Sequence, residues 1–327
     1  MQPFVLKRES EIPMKLSRLM CLAMLAVMIC TGAHAQVRFD ETLSAFPVAL
    51  DEGGWAEYGP IPFTEEDQGE GMLEIWFGRV SVCDCFIVRC NGETMMIDGG
   101  MVQHRAGTLL LLEKLGITGV DYLFNTHHHD DHLEMQEYLL RLKGFNAGVF
   151  MTPYERDHNV ALQKKMQATV DSRNIPFKTL YHGDSMMLGG ENGAKVQFFR
   201  WMGSTDANYS SMMCKITYGE RSVFLMADVT GLAQKSLAEE QLDTIPWDSD
   251  IFKLGHHGYS RQDTTLLDAI SPDLCVITNS KAGAEKSVKQ LDKAGLTWRN
   301  TPTGTIYART DGGEEWVYTQ DKSHLNK

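Results

Sequence analysis

Residues 125–132 read NTHHHDDH and concentrate four histidines and two aspartates in eight positions. Within them His127, His129, Asp131 and His132 form the pattern HxHxDH. Alternate spacing in an extended loop points the first two to one side, and the last two can then face a neighbouring point. Imidazole and carboxylate groups presented from loops are common metal ligands. The stretch therefore predicts ligands for two adjacent metal ions.

The flanking segments place this loop between a strand and a helix. VDYLFNT (120–126) is short and largely apolar, as in a strand, whereas HLEMQEYLLRLKG (132–144) has helical apolar spacing. Two further candidate sites also follow predicted strands: Asp228 closes FLMAD, and His256 and His257 follow IFKLG. Because α/β proteins place ligand groups where strands end, these positions are expected to meet.

The remaining segments predict an α/β (α+β) protein with two packed sheets and outer helices. MLEIWFG (72–78), VSVCDCFIVRC (80–90) and TMMIDGG (94–100) are expected to be consecutive strands. A helix is expected over 153–173, and a hairpin near the end is formed by TGTIYAR and EEWVYTQ.

The N-terminus has the pattern of a secretory signal peptide. Lys15 and Arg18 precede the apolar run LMCLAMLAVMIC, and Ala35 ends a small-residue cleavage site. We expect residues 1–35 to be a signal peptide, 36–70 a lead-in segment and 71–327 the folded domain that carries the motifs. The mature chain is expected to be exported, to a periplasm or out of the cell, and to have no membrane span. Translation from Met1 or from Met14 remains open.

The charge disfavours one class of partner. The formal net charge is −12, and it becomes −14 without residues 1–35, which carry four basic and two acidic residues. Such an acidic chain is a poor general partner for phosphate backbones, so nucleic acid is an unlikely partner by this criterion. Five cysteines remain after cleavage, and Cys83 and Cys85 stand two apart in a predicted strand, which favours buried thiols over a disulfide.

Several motifs together resemble the metallo-β-lactamase fold superfamily. They are HxHxDH, the upstream IDGG (97–100), Asp228 and GHHG (255–258). The resemblance implies a four-layer αββα sandwich with a dinuclear metal site. Within the superfamily, the order of CDCFIVRCNGETMMIDGG, YGERSVFLMAD, DIFKLGHHGYS and SPDLCVIT is similar to the ComEC-type hydrolase domain and to phosphorylcholine esterases.

The resemblance also implies roles for the candidate residues. It implies that His127 and His129 bind one ion and that Asp131 and His132 bind the other. Asp228 would bridge the two ions. It makes His257 the last ligand of the second ion and His256 a catalytic group that contacts the substrate phosphate or transfers a proton. The order of these two histidines remains open.

The chain departs from the family pattern at the first ion. Many members supply a third histidine there, but WMGSTDANYSSMM (201–213) has none. Asp206, Asn208 or water are alternatives, and His182 is a weaker one. The ComEC-type domain often has an aspartate where this chain has His129.

The expected chemistry is hydrolysis. Two divalent ions, Zn²⁺ first with Mn²⁺ or Fe as alternatives, lower the pKa of a shared water and polarise the substrate oxygen. Asp131 is expected to orient that water or take its proton. The sequence thus predicts a secreted hydrolase of a small-molecule phosphoester or phosphodiester. A lactone or β-lactam hydrolase and a nonhydrolytic metal-binding protein are alternatives, and the oligomeric state stays open.

Other residues near the motif carry weaker expectations. Asp98 in IDGG either hydrogen-bonds the metal-binding loop or serves a turn. His128 and Asp130 are expected to point away from the metals. Three other histidines are expected to be solvated surface residues: His104, His158 and His324.

Overall fold

The computed structural model describes residues 71–313 and 316–320. The predicted signal peptide, the lead-in segment and His324 lie outside the described residues. Within the described ranges, no helix combines the length and the apolar character needed to cross a bilayer.

The first sheet combines strands from both ends of the described chain. Its members are β1 (Leu73–Phe77), β2 (Phe86–Cys90), β3 (Glu93–Ile97), β4 (Gly119–Phe124), β5 (Asn146–Thr152), β6 (Phe177–Thr179), β14 (Ile306–Thr310) and β15 (Val317–Gln320). The strand order is β15-β14-β1-β2-β3-β4-β5-β6. Pairing is antiparallel from β15 to β3 and parallel from β3 to β6. The predicted closing hairpin is confirmed as β14 and β15.

The second sheet lies between these segments in the chain. Its members are β7 (Ser185–Leu188), β8 (Ala194–Phe199), β9 (Met213–Tyr218), β10 (Arg221–Leu225), β11 (Ile251–Lys253), β12 (Leu274–Ile277) and β13 (Thr297–Asn300). The order is β13-β12-β11-β10-β9-β8-β7. It too has an antiparallel half, β7 to β10, and a parallel half, β10 to β13.

Helices cover the outer face of each sheet. They are α1 (Arg105–Lys114), α2 (Asp130–Arg141), α3 (Ala161–Ser172), α4 (Gly231–Glu240), α5 (Thr264–Ile270) and α6 (Glu285–Ala294). Apolar residues of α1 to α3 pack with the first sheet, and those of α4 to α6 pack with the second. A third apolar cluster joins the two sheets face to face. The expected four-layer αββα sandwich is therefore confirmed.

Burial on both faces explains the continuous apolar strands. Along β1, Ile75 and Phe77 lie in the core between the sheets, while Trp76 lies in the core beneath the helices. Successive side chains of a strand point to opposite faces, so a sheet covered on both sides needs apolar residues at every position. The five free cysteines of the described residues are all buried, as expected: Cys83, Cys85, Cys90, Cys214 and Cys275.

The parallel halves of the sheets bring the candidate loops together. Asp98, the HxHxDH loop, Asp228 and the GHHG segment follow β3, β4, β10 and β11 in turn. The carboxyl ends of parallel strands meet at one edge of a sheet, where ligand sites form. The architecture therefore collects the motifs of both sheets at one place.

Two predicted elements are wrong in their extent. The strand expected over 80–90 covers only Phe86–Cys90, because the chain at Val82 takes a positive φ of 55° that no strand accommodates. The helix expected over 153–173 begins only at Ala161. Both corrections lengthen loops at the candidate site.

Gly255 is a testable point of the fold. A Cβ there would lie 2.0 Å from the carbonyl oxygen of Val229 and 2.7 Å from Nε2 of Gln234. We expect Gly255→Ala to lower the free energy of unfolding by at least about 2 kcal/mol, because the backbone oxygen cannot move away cheaply. Urea unfolding measures the change.

Gly144→Ala is the matched control, since nothing lies within 4 Å of the added Cβ. Its effect is expected to stay within about 0.5 kcal/mol. A Gly255→Ala protein as stable as this control would contradict the packing described.

Candidate metal centre

The HxHxDH loop leaves β4 at Phe124 and enters α2 at Asp130, as the sequence predicts. The carboxylate of Asp98 fixes its shape. Oδ1 accepts hydrogen bonds from the backbone N–H of Thr126 at 2.8 Å and from Nδ2 of Asn125 at 3.1 Å. Oδ2 accepts from the Thr126 hydroxyl at 2.7 Å. The expectation that Asp98 hydrogen-bonds the loop is therefore confirmed.

Four imidazoles surround the carboxylate of Asp228. Oδ2 of this residue lies 3.3 Å from Nε2 of His132 and 3.4 Å from Nε2 of His257. Nε2 of His127 lies 3.8 Å away and Nε2 of His256 lies 3.9 Å away. Asp228 thus occupies the central position that a bridging ligand would need.

The other two predicted ligands stand beside this group. Nδ1 of His129 lies 3.1 Å from Nε2 of His127, a separation suited to two ligands of one ion. Oδ2 of Asp131 lies 3.1 Å from Nε2 of His257. All six predicted metal ligands are therefore brought together by the fold, and the catalytic candidate His256 lies beside them.

Hydrogen bonds on the outer nitrogens orient two of the imidazoles. Nδ1 of His132 contacts Oδ2 of Asp98 at 2.7 Å. Nδ1 of His257 contacts the Thr278 hydroxyl at 2.9 Å, and that hydroxyl donates to Oδ1 of Asp84 at 2.7 Å. Such carboxylate partners fix the ring so that Nε2 faces inward, as ligating histidines require.

A buried ion pair supports the same region. Nζ of Lys253 donates a short hydrogen bond to Oδ2 of Asp84, and another of 2.8 Å to the carbonyl oxygen of Ala227. Nζ also lies 3.8 Å from Oδ1 of Asp228. One ligand atom each of Asp84, His132, Asp228 and His257 lies within 4.8 Å of the others. Because Lys253 and Thr278 already bind its two oxygens, we assign Asp84 to orienting His257.

The GHHG segment reaches the site through an uncommon backbone conformation. His256 and His257 have φ values of 48° and 53°, and Ala227 next to Asp228 has 48°. Non-glycine residues in this left-handed region each cost on the order of 1–3 kcal/mol and persist where the surroundings hold them. Three strained residues in one place are typical of a functional site.

The charges of the site determine its protonation. Burial and the neighbouring His132 hold the pKa of His127 well below its ordinary value, which leaves a neutral imidazole. Burial opposes a charged His132, but the carboxylates of Asp228, Asp98 and Asp131 outweigh it and raise the pKa of His132 well above its ordinary value. The pKa of His257 is raised in the same way, by Asp228 and Asp84 against burial.

The donor set fits divalent metal ions. Both carboxylate oxygens of Asp228 and Nε2 of His132 are buried without a hydrogen bond in the described structure. Buried polar atoms are ordinarily paired, and a buried carboxylate left with no donor is especially costly. Imidazole nitrogens and carboxylate oxygens that converge in this way are the ligands of zinc and related metals.

The alternatives for the missing third histidine can be compared directly. Oδ1 of Asp206 accepts hydrogen bonds from two backbone N–H groups of its own turn, and His182 is exposed and bonded to the backbone of Arg200. Asn208 lies beside the centre, with Nδ2 3.4 Å from Nε2 of His256 and Oδ1 buried without a partner. Of the three side chains, Asn208 is the one placed to contribute.

The side chains expected to point away do so only in part. The exposed Asp130 begins α2 with Asp131, where both carboxylates suit the helix N-terminus. The ring of His128, by contrast, packs against Tyr154 and His158. The expectation of a solvated His158 is therefore wrong. It is also wrong for His104, which is partly buried with Nδ1 3.2 Å from Sγ of Cys83.

The sequence did not predict that Asp84 and Lys253 lie at the site. Asp84 lies in CDC, which was expected to be a plain strand, and Lys253 is one of three residues of β11. Each is a single charged residue in an apolar run, and both are fully buried. Charged residues at such positions need a partner of opposite sign, which was the available signal.

The sequence profile of the metallo-beta-lactamase superfamily matches residues 78–144, which include the HxHxDH loop. This stretch of the chain is therefore similar to the metallo-β-lactamase superfamily. The solved structure of CmlA, described as a diiron beta-hydroxylase from Streptomyces venezuelae, is similar in fold to this chain. The TM-score is 0.51 at 14% identity, over 74% of this chain and 53% of CmlA.

Partial matches to curated proteins cover a short stretch. "Endoribonuclease ysh1" from Aspergillus fumigatus is 34% identical over 70 residues, which are 21% of this chain and 8% of that protein. "Endoribonuclease YSH1" from Yarrowia lipolytica is 25% identical over 91 residues, 27% of this chain and 11% of that protein. The chain therefore aligns with only about a tenth of each relative's length.

Removing one partner of the buried ion pair tests its role. We expect Asp84→Asn to lower the free energy of unfolding by about 3–5 kcal/mol, because Lys253 is left buried and unpaired. Adding Lys253→Met to this variant should restore part of the loss, since no uncompensated charge then remains. Urea unfolding of both variants measures this.

The control is the exposed pair Arg156 and Asp171, whose side chains are about half exposed. Arg156→Gln should have a much smaller effect than Asp84→Asn. A double variant less stable than Asp84→Asn alone would contradict the assigned pairing.

Metal uptake should release protons. His132 and His257 have raised pKa values in the metal-free centre, so each carries an extra proton at pH 7 that a metal must displace. We expect about two protons released per chain, and weaker metal binding as the pH falls and protons compete. Calorimetric titration in two buffers of different ionisation enthalpy counts them; identical heats in both buffers would contradict this protonation.

Proposed function

We propose that this chain is a metal-dependent hydrolase of phosphoesters or phosphodiesters. The observation that carries the proposal is the ring of imidazoles around the buried carboxylate of Asp228, whose oxygens have no hydrogen bond in the described structure. His127 and His129 would hold one ion, and Asp131, His132 and His257 the other, with Asp228 between them. We propose Zn²⁺ first, with Mn²⁺ or Fe as alternatives, because the ligands are imidazoles and carboxylates.

The ions would supply an acidic water and polarise the oxygen of the substrate. The chain itself would supply orientation and proton transfer. Asp131 is 22% exposed and its Oδ2 lies 3.1 Å from His257, so it reaches both the centre and the solvent side. It would accept the proton of the attacking water.

His256 is placed to act on the leaving group. Its side chain is 31% exposed, while that of His257 is fully buried. Because a substrate reaches exposed groups, His257 is the better ligand and His256 the better contact for a phosphate oxygen. Burial lowers the pKa of His256, so its imidazole is neutral near pH 7. It would donate a hydrogen bond through its N–H.

Nucleic acid belongs among the candidate substrates. The acidic net charge argues against it, but the comparisons give that expectation no support, since the partial relatives are endoribonucleases by name. The alignment covers only 21% of this chain, and one fold can serve many substrates. An RNA oligonucleotide therefore belongs in a substrate panel.

The test combines metal content with activity. Elemental analysis of the full chain should give two metal ions, and the same preparation should hydrolyse bis(p-nitrophenyl) phosphate. His129→Ala should lower kcat/KM by on the order of 10²-fold or more, because a ligand of one ion is lost.

His182→Ala is the matched control, since His182 is exposed and its Nδ1 contacts the backbone oxygen of Arg200 instead of the centre. It should retain activity. Turnover of lactones or β-lactams with no phosphoester hydrolysed would replace the proposed substrate class. A metal-loaded protein that turns over neither would favour a binding role.

Export remains part of the proposal. It rests on Lys15, Arg18 and the apolar run before Ala35. Sequencing of the N-terminus of protein recovered from cells tests it, because cleavage after Ala35 would leave Gln36 first.

A further inference from the structure

A second group of polar side chains lies next to the metal centre. The ring of Tyr154 stacks on that of His158 with centroids 4.2 Å apart, and the ring of His128 lies 4.8 Å and 5.1 Å from them. The guanidinium of Arg200 lies 5.3 Å from the Tyr154 ring centre. We call His128, Tyr154, His158 and Arg200 the Tyr154 cluster.

Three polar atoms of the Tyr154 cluster have no partner. Tyr154 is only 5% exposed, and its oxygen lies beside the backbone of His128, but its hydroxyl hydrogen has no acceptor in the described structure. Nδ1 of His128 and Nε2 of His158 are also buried and unbonded in the described structure. Because buried polar atoms are ordinarily satisfied, three unsatisfied atoms in one cluster indicate a group that binds there.

Arg200 adds a positive charge without a counterion. Its Nε donates to the carbonyl oxygen of Ser210 at 2.6 Å and its Nη1 to that of Pro153 at 2.8 Å. These bonds hold the guanidinium in place and leave Nη2 free of hydrogen bonds to the described residues. Among those residues no carboxylate forms an ion pair with Arg200, although the side chain is partly buried. A partly buried cation without an anion is costly.

The Tyr154 cluster is adjacent to the ligands of the first ion. The ring centroids of His128 and His129 are 5.5 Å apart, and Nδ1 of His129 lies 3.1 Å from Nε2 of His127. His129 is only partly buried, so the centre is open on this side. A substrate held at the first ion would therefore extend over the cluster.

We propose that the Tyr154 cluster binds a second anionic group of the substrate, a phosphate or a similar oxyanion, while the scissile phosphoester lies at the metal centre. This inference rests on the proposed function. Arginine is the preferred partner of phosphate, and the Tyr154 hydroxyl and a neutral imidazole can each donate one hydrogen bond. A cationic group would be repelled by Arg200, and an apolar group would leave the three polar atoms unsatisfied.

Two p-nitrophenyl phosphodiesters of thymidine 5′-phosphate, with and without a 3′-phosphate, test the proposal on the metal-loaded full chain. The wild type should have a kcat/KM about tenfold higher for the diester with the second phosphate. Arg200→Gln should abolish this preference, and Tyr154→Phe should reduce it about threefold. The ratio of the two substrates is the readout, so a general loss of activity does not imitate the result.

Arg156→Gln is the matched control, because Arg156 is exposed and pairs with Asp171. It should keep the wild-type ratio. A wild type without preference, or an Arg200→Gln variant that retains it, would overturn the proposal.

A second measurement separates this inference from the proposed function. At millimolar concentration and constant ionic strength, sulfate should raise the melting temperature of the wild type and of His129→Ala clearly more than that of Arg200→Gln, in which only the nonspecific stabilisation by sulfate remains. If the protein shows this pattern but hydrolyses neither diester, the anion site is supported and the proposed phosphodiesterase activity is contradicted. Equal stabilisation of the wild type and Arg200→Gln by sulfate would remove the anion site.

Discussion

The carboxylate of Asp228 is buried to 1% exposure, with both oxygens free of hydrogen bonds in the described structure. A fold that places a carboxylate in this way needs positive charge around it. In the absence of metal, protonated imidazoles from the HxHxDH loop and from GHHG supply that positive charge. With metal bound, the same imidazoles would be neutral ligands and the metal ions would supply the positive charge. These loops follow strands of both sheets, so the position of the Asp228 carboxylate and the charges around it depend on how the two sheets pack.

The Asp84–Lys253 pair shows how the fold limits the cost of these charges. Three carboxylates near the centre are buried, those of Asp84, Asp98 and Asp228, and one buried lysine faces them. Asp84 and a backbone carbonyl hold the ammonium group of Lys253 in place, while the Asp228 oxygens make no hydrogen bond in the described structure. One lysine does not neutralise three carboxylates, so negative charge remains around Asp228, where divalent ions would bind.

The sequence predicted the layers and the ligand loop because both follow from local patterns. Apolar alternation predicted most strands, and the patterns around HxHxDH predicted the loop between β4 and α2 on which His127 and His129 lie. It did not predict the role of Asp84. The positive φ at Val82 excludes the beginning of the expected strand, and a run of apolar residues gives no sign of such a conformation. It also missed β5 and the short strand β6, whose pairing depends on distant neighbours. A local sequence pattern does not predict an ion pair such as Asp84–Lys253, whose partners are far apart in the chain.

Exposure divides the centre into two sides with different tasks. His127, His132 and His257 are fully buried, so they can hold ions but cannot reach a large substrate. His129 and His256 are partly exposed, and Asn208 lies beside His256 on the same side, where it would take the place of the missing histidine. An amide binds metal more weakly than imidazole does, so the first ion would keep more room for a substrate oxygen. The departure from the family pattern therefore falls on the side where the substrate must enter.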